Sequence, residues 1–460
     1  MSGKNDFHKN MKTQEQKNNW IERTLQFFVG SFLFLLPWQT IYITREVFLS
    51  GAKWQAATLG FFASEILLWI CIGIFAFSYL KKIREHRSQI IFAWSSDRIF
   101  ILSILVFTLY SFASIFWASD KHVALQQSEH ILEAFLLFFV LSFSSIDRIL
   151  AAKYFIAGAG VQSALGIYQF LTQSTFSFKW LGLVTHPIQE LGTSVVALEG
   201  GDRILRAYGA FSHPNVFAGY LLVAILLSIF VLYREQKNNF LKLAVILEFT
   251  ALFFTFSRAA WIALALSFLS IFFFQYKSVI APVSASGGSE ARQSFRKLSV
   301  FVILLFFFLG MFYWPLIYTR VSHDSRLEIQ STQERVVGYK EAIQIWETSA
   351  LVGVGAGNYT VALSEINPNQ AGYAYQPVHN VPFLFLSEFG VIGVLLLFGI
   401  GVTFYRVGIQ ASVKKYQTLF LIGIFLLLSL FDHYLYSSYL GLLLSAIYFS
   451  FIFQFSLNKE

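Results

Sequence analysis

Residues 215–233 read NVFAGYLLVAILLSIFVLY and contain no charged side chain. An α-helix of about 20 apolar residues crosses the roughly 30 Å of hydrocarbon in a lipid bilayer. Arg234 follows this block directly, and a long polar stretch precedes it. Because both flanks suit water and the block suits lipid, these residues predict a membrane-spanning helix that ends at Arg234 on the cytoplasmic side.

Similar blocks recur along the chain of 460 residues, which is 56% hydrophobic and only 13% charged. So few charged side chains cannot cover a soluble core of this size, and lipid is therefore the expected solvent. The blocks predict about twelve helices, near residues 25–43, 56–80, 98–118, 124–143, 151–173, 215–233, 240–257, 258–276, 298–318, 382–405, 416–434 and 439–456. The expected fold is an all-α integral membrane protein.

Basic side chains set the expected orientation of these helices. Most of the 34 Lys and Arg lie on one side of the membrane if the amino terminus is cytoplasmic, as the positive-inside rule requires. The short outer connections carry only Arg45, Lys53, Lys121 and Arg258. Since the basic residues are scattered at the ends of apolar blocks, the net charge of +8 reflects orientation instead of a surface for nucleic acid.

This orientation divides the chain into a few parts. We predict a cytoplasmic tail over residues 1–24, a single polytopic membrane domain over residues 25–456, and a cytoplasmic carboxyl terminus. Two long polar loops, residues 174–214 and 319–381, fall on the outer side. Chemistry on a hydrophilic substrate is expected in these loops, the second of which carries most of the candidate residues.

The first candidate segment, residues 206–215, leads into the block quoted above. It contains Arg206, Tyr208, His213 and Asn215 within ten residues. A capped helix start explains His213 followed by proline. A cap does not explain why Arg206, Tyr208 and Asn215 also lie so close together at a membrane surface. The two parallel N–H donors of an arginine guanidinium match the oxygens of a phosphate group.

The second candidate is Arg258, which lies between two apolar blocks joined by almost no connection. A cation at the membrane edge is costly without a partner, and an anionic ligand is one such partner. The alternative is that the side chain reaches the lipid headgroups without a specific role.

The third candidate segment is residues 334–346, where Arg335 and Tyr339 share one face of a predicted amphipathic helix. A glycine run, residues 353–357, follows this helix. It follows no predicted strand, so it indicates a helix stop and a tight turn more than a nucleotide site.

The fourth candidate segment, residues 376–380, holds His379 and Asn380 just before a predicted helix. A histidine near neutral pH can accept a proton from a hydroxyl nucleophile, although a structural histidine is an equal alternative. No pair of histidines has the spacing of a helical metal site, so no metal is predicted.

Taken in order, these segments resemble the O-antigen ligase and polymerase superfamily of bacterial membrane glycosyltransferases. The resemblance covers roughly residues 200–435 and includes Asp432-His433-Tyr434 near the end of the eleventh predicted helix. Its most specific part is the pattern Arg-x-x-Gly-x-Phe-x-His-Pro-Asn over residues 206–215.

The resemblance implies a GT-C-like membrane fold and transfer of a glycan from undecaprenyl diphosphate to an acceptor hydroxyl, without metal or cofactor. It implies diphosphate binding by Arg206, Arg258 and Arg335, general-base catalysis by His379, and supporting roles for Tyr208, His213, Asn215 and Asn380. The acceptor is lipid A core, a glycan or a protein hydroxyl, and the sequence does not separate ligase, polymerase and protein O-oligosaccharyltransferase. The expected location is the bacterial cytoplasmic membrane, with the active site on its outer face.

Two other classes of function remain open. A secondary transporter commonly has twelve helices and would use ionisable residues within the membrane, for which the apolar blocks offer Glu65, Glu129, Glu133 and Glu248. A non-catalytic membrane scaffold would be insensitive to substitution of His379.

Overall fold

The computed structural model describes residues 20–85, 98–190, 192–198, 200–235, 237–279, 288–322, 326–409 and 415–457. Within these ranges the protein is predominantly helical. Most of the predicted cytoplasmic tail, residues 1–19, lies outside the described residues.

Each predicted apolar block coincides with at least one helix. The helices are α1 (20–35), α2 (Ala63–Glu85), α3 (Arg98–Ala113), α4 (Lys121–Phe143), α5 (Arg148–Thr172), α6 (Pro214–Arg234), α7 (Asn239–Phe254), α8 (Arg258–Val279), α9 (Gly288–Phe312), α10 (Trp314–Ser322), α11 (Arg326–Thr348), α12 (Tyr359–Ile366), α13 (Val381–Phe404), α14 (Lys415–Phe431), α15 (Tyr434–Ser437) and α16 (Tyr439–Leu457). The protein is therefore an α-helical membrane protein.

By length and hydropathy, six helices in the described part of the chain are able to cross a membrane. A seventh crossing is counted if Lys297–Phe312 and Trp314–Ser322, which meet at an angle of 82°, form one broken span. Further apolar helices, such as Lys415–Phe431, are shorter. Twelve crossings therefore stay a prediction.

The connection between the first two helices differs from the sequence prediction. The first helix was expected to reach residue 43 and the second to begin at residue 56, but strand β1 (Ile41–Arg45) pairs antiparallel with β4 (Leu59–Phe62). A smaller hairpin, β2 (Phe48–Leu49) with β3 (Ala52–Lys53), lies between them. The β-branched and aromatic residues of β1 favour a strand, although their hydrophobicity alone suggested helix.

Most of the membrane helices pack around one extensive apolar core. Helix α4 packs against α16 and α3, and α7 packs against α5 and α6. A second apolar cluster joins α11, α12 and α13 to α3 and α4. The helices of the second long loop are therefore attached to the membrane bundle.

Helix α13 is broken at Gly390, which has φ 61° and ψ −168°. Segment 350–355 runs beside the break, and its backbone hydrogen bonds to segment 387–392 are 2.9–3.1 Å long. These bonds use the backbone groups that the break releases. The glycine run after α11 is thus a turn that completes a broken helix, as the turn interpretation predicted.

We expect Gly390→Ala to destabilise the region around this break. A Cβ at this position would lie 2.3 Å from the Leu351 carbonyl oxygen, and the backbone is in the left-handed region that favours glycine. Thermal unfolding of the purified variant measures the effect. Gly399→Ala is the matched control, because a Cβ there meets nothing within 4 Å; equal stability of both variants would contradict the assignment.

Candidate functional site

Arg206 lies at the end of a hairpin formed by β5 (Val195–Ala197) and β6 (Arg203–Leu205), and it is only 4% exposed. Its Nε donates to the Thr255 carbonyl oxygen at 2.6 Å, and NH1 donates to Ser194 Oγ at 2.7 Å. Its NH2 donates to Asn215 Oδ1 at 2.8 Å. The guanidinium is therefore buried and held in a fixed orientation.

Asn215 connects Arg206 to a second group of polar side chains. Its Nδ2 donates to Asp432 Oδ2 at 2.9 Å. His213 caps helix α6, because its Nδ1 accepts from the Asn215 backbone N–H at 3.1 Å. Segment 206–215 thus caps helix α6 and also contributes Arg206 and Asn215 to the polar cluster.

His379, Asp432 and His433 lie together where α13 begins and α14 ends. Each offers one atom capable of binding a metal, and these atoms are all within 4.8 Å of one another. The rings of His379 and His433 have centroids 5.1 Å apart and an interplanar angle of 82°. His433 Nδ1 is 2.6 Å from Ser437 Oγ. This arrangement gives His379 a carboxylate neighbour.

Two of the neighbouring histidines are held neutral by their surroundings. Burial, and then the charge of Arg206, lowers the pKa of His213 to about 3. Burial lowers the pKa of His433 to about 4, although the Asp432 carboxylate opposes the shift. Near neutral pH these two side chains therefore carry no positive charge, and each has a nitrogen that can accept a hydrogen bond.

Arg258 belongs to a cluster of charges between α8, α10 and α11. Its NH1 donates to the Arg320 carbonyl oxygen at 2.7 Å, and its NH2 lies 2.9 Å from Glu328 Oε2. Arg320 NH1 also pairs with Glu328 Oε1, and Arg320 NH2 donates to the Phe256 carbonyl oxygen at 3.2 Å. One buried carboxylate thus lies between two guanidinium groups.

Arg335 projects from α11, the amphipathic helix that the sequence predicted. Its Nε has no hydrogen-bond partner among the described residues. The helix contacts α13 one turn further along the same face, where the rings of Tyr339 and Phe383 lie 5.3 Å apart. The charge of Arg335 acts on Arg320, so it belongs to the same positive region.

Tyr208 and Asn380 support the site without facing it. The Tyr208 hydroxyl accepts from the Ser194 backbone N–H at 2.5 Å, and its ring stacks on His186 with centroids 4.0 Å apart. Ser194 in turn binds Arg206. Asn380 caps α13, and its Nδ2 donates to the Leu430 carbonyl oxygen at 3.1 Å, which joins α13 to α14.

Residues 243–398 match the family model Wzy_C, described as O-Antigen ligase. The match covers about a third of the chain and confirms the resemblance to the O-antigen ligase and polymerase superfamily. It supports a general ligase- or polymerase-like function in a membrane. No curated protein matches the chain.

The region that matches the O-antigen ligase family model contains some of the predicted site residues. Arg258, Arg335, His379 and Asn380 fall within residues 243–398, whereas the segment 206–215 precedes the match. The described contacts connect both parts, because Arg206 binds the Thr255 carbonyl oxygen inside the matched region. The structure therefore places Arg206, which lies outside the matched residues, in contact with a residue inside them.

Sequence reasoning did not select Arg320 or Glu328, and it noted Asp432 and His433 only through the resemblance. An arginine that follows an apolar block usually indicates an interfacial anchor, and a glutamate eight residues later has no distinctive spacing. Only the 82° bend between α9 and α10 turns Arg320 towards α8. The Asp432-His433 pair was a stronger signal, since both residues are polar at the end of an apolar helix.

The His379 group of this O-antigen ligase relative also has the chemistry of a metal site. Two imidazoles and one carboxylate would suit Zn²⁺. Asp432 Oδ2 accepts from Asn215, and Asp432 Oδ1 accepts from the His433 backbone N–H at 2.8 Å. His433 Nδ1 is engaged with Ser437. These bonds orient the group and leave His433 Nε2 and further carboxylate lone pairs available, and metal independence stays a prediction.

Proposed function

We propose that the protein transfers an oligo- or polysaccharide from undecaprenyl diphosphate to an acceptor hydroxyl on the outer face of the bacterial cytoplasmic membrane. The observation that carries this proposal is that the arginines around Glu328 and the His379 group are connected. Arg206 and Arg320 donate to the adjacent carbonyl oxygens of Thr255 and Phe256. Arg206 is joined to Asp432 through Asn215. We also propose that the helices form a GT-C-like fold with twelve crossings and both termini in the cytoplasm.

In this proposal the arginines stabilise the diphosphate. Arg258, Arg320 and Arg335 outnumber the single carboxylate of Glu328, so the region has an excess of positive charge. Arg258 and Arg335 approach the outer surface and are suited to direct contact. Arg206 is buried, and it acts by its charge and by holding Asn215. Fixed cations lower the barrier as negative charge accumulates on the leaving diphosphate.

His379 is the proposed general base. As the acceptor oxygen attacks the anomeric carbon, its O–H proton passes to the imidazole, and the bond from that carbon to the phosphate oxygen breaks with its electron pair on the diphosphate. The Asp432 carboxylate nearby stabilises the imidazolium that forms. A single in-line displacement of this kind inverts the anomeric centre.

Glu328 occupies the space between Arg258 and Arg320 that an anionic ligand would favour. We expect Glu328→Gln to lower the KM for the lipid-linked donor by several-fold, because the diphosphate no longer competes with an internal carboxylate. Steady-state kinetics with a purified donor measure this change. Glu334→Gln is the matched control on the exposed face of the same helix, and a higher KM in Glu328→Gln alone would contradict the expectation.

The proposed function is tested with purified protein and lipid-linked donor in the presence of a chelator. We expect transfer to continue in chelator, because the proposed mechanism uses arginines where other glycosyltransferases use a divalent ion. Mass spectrometry of the product identifies the acceptor and distinguishes ligase, O-antigen or capsule polymerase, and protein O-oligosaccharyltransferase. Loss of transfer that returns with added metal, in protein whose unfolding temperature is the same with and without chelator, would favour a metal at the His379 group.

A further inference from the structure

A second polar cluster lies within the bundle near its outer end, away from the arginines. Glu65 on α2 and His130 and Glu133 on α4 each offer one metal-binding atom, and these atoms lie within 4.8 Å of one another. Their exposed fractions are 7%, 8% and 2%. The cluster is beneath the β1–β4 hairpin, because Glu65 Oε1 accepts from the Phe62 backbone N–H at 3.0 Å.

The two carboxylates are poorly compensated by protein groups. Glu133 Oε1 accepts from Trp69 Nε1 at 2.6 Å, but Glu133 Oε2 is buried with no hydrogen-bond partner among the described residues. Among those residues, no Lys or Arg forms an ion pair with Glu65 or Glu133. Two nearby buried carboxylates are costly unless a cation or a proton neutralises them.

The donor set matches a transition-metal ion. His130 Nε2 lies 3.6 Å from Glu65 Oε1, close to the spacing of about 3.3 Å between two donors bound to one tetrahedral Zn²⁺. Glu133 offers its second oxygen from the same helix as His130, one turn further along. One imidazole and two carboxylates are borderline and hard donors that suit Zn²⁺ or Mn²⁺.

We propose that Glu65, His130 and Glu133 bind one divalent transition-metal ion. The ion neutralises both carboxylates and connects α2 to α4 at the outer side of the membrane. Since Tyr439 at the start of α16 packs against His130, with ring centroids 5.0 Å apart, the ion also stabilises the contact between α4 and α16. The proposed role is structural, and it does not depend on the glycan-transfer proposal.

The test uses the full-length protein, purified in detergent, stripped with chelator and then titrated with Zn²⁺. We expect one Zn²⁺ per chain, a rise in the unfolding temperature on binding, and visible absorption typical of tetrahedral Co²⁺ when cobalt replaces zinc. Glu133→Gln and His130→Gln are each expected to weaken binding by about 100-fold or more. If one variant fails to fold, the other and the wild-type titration still decide the question.

Two matched variants locate the ion. Glu248→Gln removes a carboxylate of equal burial that instead accepts from Ser228, and we expect it to bind Zn²⁺ as the wild type does. Asp432→Asn disrupts the other possible metal group and should also retain binding. Absence of Zn²⁺ binding in the wild type would overturn the proposal and assign the neutralising charge to a proton. Loss of binding in Asp432→Asn but not in Glu133→Gln would overturn it as well.

Discussion

His379→Ala is expected to reduce the kcat of glycan transfer by about 1000-fold, within the usual contribution of a general base. The side chain is partly exposed, and the helix after it is capped by Asn380, so the fold should survive. The KM for the donor should change little, because the proposed mechanism assigns diphosphate binding to the arginines and not to His379. Transfer from purified donor, with product quantified by mass spectrometry, measures the loss.

The matched control for this prediction is His122→Ala. His122 is an exposed histidine at the start of α4, on the predicted outer face but in a different element. It should retain wild-type kcat and stability. Activity of His379→Ala equal to that of the control, in protein with an unchanged unfolding temperature, would exclude the proposed base and favour the non-catalytic alternative.

Arg258→Ala is expected to lower kcat/KM by about 100- to 1000-fold, the usual effect of removing one fixed group that stabilises a developing charge. Glu328 keeps its pairing with Arg320 in this variant, so the buried carboxylate is not left alone. Arg258→Lys should recover little activity. A lysine cannot reproduce the fork in which NH1 contacts the Arg320 carbonyl oxygen and NH2 contacts Glu328.

Arg203→Ala is the control variant that removes one positive charge without removing a proposed diphosphate contact. Arg203 lies in β6, close in sequence to Arg206, and donates to the Glu190 carbonyl oxygen at 3.3 Å in the outer loop. It should keep kcat/KM within a few-fold of wild type. If Arg203→Ala and Arg258→Ala were equally impaired, general electrostatic attraction of the donor would account for both effects, and the diphosphate site would have to be placed elsewhere.

Local sequence patterns predicted the secondary structure correctly where the lipid environment alone determines the backbone conformation. Apolar blocks such as residues 215–233 form helices because each backbone group must be hydrogen-bonded within lipid. The helix start at Pro214 follows the local rules of capping, and the structure confirms it. The strand β1 was missed, since an apolar segment outside the membrane can pair with a neighbour instead of forming helix.

The candidate residues were identified individually, but their partners were not. Arg206 and Asp432 are separated by more than two hundred residues and are joined through Asn215. The pairing of Glu328 with both Arg258 and Arg320 depends on the bend between α9 and α10. Composition and periodicity determine which segments are helical and which side chains carry charge. The distances between distant charges arise only when the helices pack, because a Coulomb interaction depends on separation in space and not along the chain.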